Sequence, residues 1–95
     1  MRYKIVLYQQ SNKIKSAQLS RHLNGYKDYS NNGKYIYARK GLLNQIPNWN
    51  PIKGVFILEE QGEVKLVKML EKYQATYHSF PIELNDEEMS QVRHR

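Results

Sequence analysis

The order of apolar patterns along these 95 residues predicts an α+β fold of the ferredoxin-like βαββαβ type, a four-stranded antiparallel sheet with two helices on one face. Three observations carry the prediction. Strand-like and helix-like runs follow one another as strand, helix, strand, strand, helix, strand. The length suits one small domain. The unbroken run Val55-Phe56-Ile57-Leu58 has the character of a strand buried on both faces.

Residues 2–8 form the first strand, rich in Ile, Val, Tyr and Leu. Ser11 or Asn12 is placed to cap a helix over 13–24, where Leu19 and Leu23 stack at i, i+4 while Ile14 falls off the stripe. Gly25 stops that helix. Asn32-Gly33 is a turn signal that pairs Tyr26–Ser30 with the strand Lys34–Arg39 in a short hairpin. Residues 40–53 read as one helical turn around Leu42, Leu43 and Ile46, then an extended loop through Pro47, Trp49 and Pro51.

A strand over 54–59 leads to a second helix over 63–74. Its apolar stripe is Val64, Val67, Leu70 and Tyr73, joined by Leu66, with Lys65, Lys68, Glu71 and Lys72 outside. Residues 75–84 form the last strand, and Pro81 within it argues for an edge or a strand end. The compact unit is expected to span residues 1–85. Residues 86–95 form a short tail, opened by a capping box at Asn85 and Glu88 and frayed beyond Met89.

A winged helix-turn-helix is the competing fold, with Lys15–Leu23 as its first helix and 35–39 and 54–58 as wing strands. No recognition helix follows Gly25 at the required distance, and the last strand would have no place.

Composition excludes several classes. Without cysteine there is neither a disulfide framework nor a thiolate zinc site. The apolar runs are far shorter than the roughly 20 residues of a membrane helix. Met1-Arg2-Tyr3-Lys4 leads straight into a strand with no leader-like stretch, so a soluble cytoplasmic protein is expected.

Charge is uneven. Residues 1–54 hold ten Lys/Arg against the single acid Asp28, a net of +9; residues 55–95 hold five against eight acids, a net of −3. A block so unbalanced attracts polyanions. Six of the eight tyrosines lie in the same half, and tyrosine rings beside cations are the usual means of holding single strands.

With Ile36 and Ala38 turned toward the helices, Tyr35, Tyr37 and Arg39 turn to the open sheet face, because side chains alternate along a strand. The expected partner is nucleic acid, RNA or single-stranded DNA ahead of duplex. Its binding residues are Arg21, Lys27, Tyr29, Lys34, Tyr35, Tyr37, Arg39 and Lys40.

RNA-recognition motifs share the βαββαβ order, but here Val55 and Ile57 stand where that family's third strand carries aromatics. Only the chain order corresponds. No phosphate-binding glycine loop is present, and no cofactor is expected. His22, His78 and His94 are isolated in sequence, so neither a metal site nor a catalytic residue is expected. Two alternatives stand beside nucleic-acid binding: a homodimer formed through the sheet, and a metal-independent ribonuclease using His22.

Overall fold

Alternation along the first strand sets the layers of the molecule. In the computed structural model, which describes residues 2–30 and 33–92, β1 runs Arg2–Gln9. Val6 is buried on one face and Tyr3 on the other. β1 pairs antiparallel with β5 (Val55–Leu58) and with β6 (Thr76–Glu83), and β4 (Asn48–Ile52) pairs with β5. The sheet order is β4-β5-β1-β6, all antiparallel. Pro81 lies in β6, an edge strand, where a missing backbone N–H costs least.

Two helices connect the sheet strands. α1 (Lys13–Asn24) is capped by Asn12, whose side chain accepts from the Lys15 backbone N–H at 3.0 Å. α2 (Glu60–Lys72) begins three residues earlier than its sequence pattern suggests. Leu19 and Leu23 of α1, Leu66 and Leu70 of α2, and Val6, Phe56 and Leu58 of the sheet form one buried cluster, so both helices pack on the same face. The stripe of α2 runs through Gly62, Leu66 and Leu70; Val64 is 48% exposed. The buried line follows the i, i+4 spacing of Gly62, Leu66 and Leu70, which leaves Val64 off it.

Among the described residues the strands form two sheets, one of four strands and one of two, where a single four-stranded sheet was expected. The segment 48–52, read from sequence as loop, is β4, the strand that completes the sheet beside β5 through the turn at Lys53-Gly54. Pro51 is tolerated because β4 is the other edge strand. The hairpin β2 (Tyr26–Ser30) and β3 (Tyr35–Arg39) forms with the expected pairing, but as a separate two-stranded sheet. Gly33 has φ +86°; Asn32, the other half of the turn signal, lies outside the described residues.

The second sheet face is half covered. Tyr3, Ile57 and Leu84 are buried there beneath Trp49, Ile82, Met89 and Val92. The covering segment is α3 (Asp86–Met89), opened by reciprocal Asn85 and Glu88 hydrogen bonds of 2.7 and 3.0 Å. Beyond α3 the Val92 N–H donates to the Met89 carbonyl at 3.1 Å. His94 lies outside the described residues. No helix among the described residues is long and apolar enough to cross a membrane.

Candidate nucleic-acid interface

The hairpin β2–β3 projects from the domain as an arm. All five residues of β3 are exposed. The molecule measures 49 × 27 × 20 Å, and its radius of gyration of 14.7 Å exceeds the value of about 12.4 Å for a compact chain of this length. Two glycines make the arm's root. Gly25 has φ +84°, and a Cβ there would lie 2.5 Å from the Arg39 carbonyl oxygen; a Cβ on Gly41 would lie 2.3 Å from the Leu23 carbonyl oxygen. The chain therefore leaves α1 and returns to the single 3-10 turn Leu42–Asn44 through the same narrow gap.

Register divides the side chains of the arm between two faces. Tyr26 faces Arg39, and Asp28 faces Tyr37, with Tyr35 further along the same face. Lys27 opposite Ala38 and Tyr29 opposite Ile36 occupy the other. The expectation that Tyr35, Tyr37 and Arg39 stand on the open face of the main sheet is therefore corrected, as is the inward turn of Ile36 and Ala38. The strand pairs only with β2, and Ile36 is 59% exposed. The edge of β5 is taken instead by 48–52, where Trp49 and Ile52 stand opposite Ile57 and Val55.

Every ring proposed from sequence stays accessible: Tyr29 is 60%, Tyr35 46% and Tyr37 50% exposed. Lys34 and Arg39 sit over the Tyr35 and Tyr37 rings at 5.8 and 5.7 Å from the centroids. Arg39 also bonds Asp28, at 3.1 Å from Nη2 and 3.3 Å from Nε. Both groups of that pair are about half exposed, so it is screened and readily exchanged. Lys40 is exposed where the arm returns to the domain.

Arg21 lies at the root, its guanidinium 4.3 Å from the Tyr26 ring centroid. Beside it the His22 ring stacks on Tyr73, with centroids 5.4 Å apart. His22 Nδ1 meets the Tyr73 hydroxyl and lies 3.0 Å from the Gln18 carbonyl oxygen. These residues line a recess of about 230 Å³.

The structure thus gathers Arg21, Lys34, Tyr35, Tyr37 and Arg39 along one side of the arm and its root, and leaves Lys27 and Tyr29 on the other. Sequence reasoning missed Tyr26, which its position directly after the helix-stopping Gly25 marks as a root residue. It also missed Tyr73, 51 residues from His22, for which no sequence signal exists. Among the described residues no group of three or more His, Asp or Glu is placed to hold a metal ion. Comparison of the chain with protein-family models, with curated proteins and with solved structures finds no match.

Proposed function

We propose that this protein binds nucleic acid, RNA or single-stranded DNA in preference to duplex, without catalysing its cleavage, and that the β2–β3 arm is the binding element. The four-stranded sheet is then a ferredoxin-like split motif carrying the arm as an insertion after its first helix.

The arm carries the reading. A lone two-stranded hairpin is marginal in water, and this one leaves Tyr29, Tyr35, Ile36 and Tyr37 between 46% and 60% exposed, on both faces. Such surface favours a partner, and the adjoining Lys27, Lys34, Arg39, Lys40 and Arg21 favour an anionic one. The test is binding of short RNA and DNA oligomers as salt is varied. Affinity is expected to fall with salt, and each removed phosphate contact, such as Lys34→Ala or Lys40→Ala, to lower the slope by about one. Replacing Tyr35 and Tyr37 by Ala costs about 1–3 kcal/mol per stacked base. A folded double variant that binds as tightly as the parent overturns the reading. RNA cleavage that His22→Ala abolishes would establish the ribonuclease instead.

A second reading, pairing of two copies through the sheet, is favoured by one observation. Leu7, Ile52 and Phe80 are 37%, 66% and 53% exposed on the part of the second face that α3 leaves bare. Sizing over a range of concentrations, with and without oligomer, distinguishes it.

A further inference from the structure

A second recess shares no lining residue with the β2–β3 arm. It is a cleft of about 660 Å³ between α1 and the turn joining β4 to β5. That volume is within the range of small-molecule sites, roughly 300–1,000 Å³.

Its chemistry is of one kind. No Asp or Glu lines it, while Lys13 stands at the start of α1 and Lys53 at the opposite lip. Neither lysine has an ion-pair partner among the described residues. At the inner end Tyr8 and Phe56 stack 7° from parallel with centroids 5.9 Å apart, and Tyr8 is only half-buried. Along the helix wall Ser16 and Ser20 keep the side chains short, and the Ser16 hydroxyl makes no hydrogen bond to any described residue. The Lys53 lip is held in place. Gly54 has φ +84°, its carbonyl accepts the Tyr8 N–H at 2.9 Å, and a Cβ on it would lie 3.0 Å from the Tyr8 carbonyl oxygen.

Two unpaired cations, hydroxyl and amide groups, and a ring at the inner end match a ligand with an anionic end, polar middle and flat aromatic end. We propose that this cleft binds a nucleotide, its phosphate between Lys13 and Lys53 and its base against Tyr8. The nucleotide is either free or the phosphorylated end of a strand; the chemistry is shared. This site is separate from the arm and does not depend on what the arm binds.

An amide-shift titration of the full chain tests it, using adenosine monophosphate, a short 5′-phosphorylated oligonucleotide and inorganic phosphate. Saturable shifts at Ser16, Ser20, Lys53 and Gly54 are expected. Shifts with the monophosphate identify a free nucleotide as sufficient, and shifts with the oligonucleotide alone identify a strand end. The exposed-site variant Lys13→Ala/Lys53→Ala should weaken binding about tenfold or more. Lys65→Ala/Lys68→Ala, which removes the same charge from α2, should leave it unchanged. The proposal is overturned if neither nucleotide gives saturable shifts there, if inorganic phosphate binds as tightly as the monophosphate, or if both double variants behave alike.

Discussion

Gly25 and Gly41 carry the most geometry per atom in this protein. A methyl group at either would penetrate backbone at 2.5 or 2.3 Å, and backbone cannot move aside as a flexible side chain does. Gly25→Ala and Gly41→Ala are therefore expected to lower stability by about 2–4 kcal/mol each in denaturant unfolding. A loss below about 0.5 kcal/mol would show that the root is looser than described. Two phenols make a second residue-level statement. Burial beside Phe56 raises the Tyr8 pKa above its ordinary 10.0. Tyr77 is raised in the same direction by desolvation first and then by the Glu71 and Glu63 carboxylates. A raised folded-state value means that this stability is complete below pH 10.0 and is lost as pH climbs from there through the folded pKa. In a phenolate absorbance titration Tyr8 and Tyr77 should ionise above pH 10.0, and Tyr8→Phe should remove one of these late transitions. An unchanged titration after that substitution contradicts the assignment.

Among the elements, α1 and α2 differ in what holds them. α2 buries Leu66 and Leu70 and carries Glu60 and Glu63 in its first turn, where carboxylates favour the helix dipole. α1 buries only Leu19 and Leu23 and has no acid in its first turn, so its Asn12 cap bears more of the load. Asn12→Ala should cost about 1 kcal/mol, read as a lowered denaturation midpoint with unchanged m-value. Asn12→Asp should largely restore it, because a carboxylate accepts the same Lys15 N–H. Failure of that rescue would mean that Asn12 acts other than as a cap. The limits of α1 and the caps were legible because they depend on neighbours in the chain: the Leu19/Leu23 pair, Gly25 after it, the Asn85/Glu88 spacing. β4 was not. Asn48-Trp49-Asn50-Pro51-Ile52 carries loop-forming residues, and only its edge place beside β5 makes it a strand.

Taken whole, the molecule is a closed α+β domain with one projecting part. The arm's two ends meet where Gly41 abuts Gly25, so the domain does not need the intervening chain to close. Replacing residues 26–40 with a short glycine linker should leave the domain folded and cooperative, with little change in melting temperature. Binding of oligonucleotides that lack a terminal phosphate should be lost. Collapse of the domain on excision would show that the arm is part of the core; full binding without it would remove the arm as the interface.

The amino-acid order alone settled local matters: an α+β chain, two amphipathic helices, a tyrosine-bearing hairpin, and a cationic half opposed to an acidic one. These follow from side-chain periodicity, turn chemistry and charge, which act over a few residues or need no geometry at all. Residues 48–52, rather than 35–39, lie along the edge of β5, with Trp49 opposite Ile57 and Ile52 opposite Val55, a pairing that only the path of the whole chain brings about. That path left the tyrosine hairpin as an arm. It also enclosed the Lys13–Lys53 cleft between segments about forty residues apart, a proximity no local pattern records.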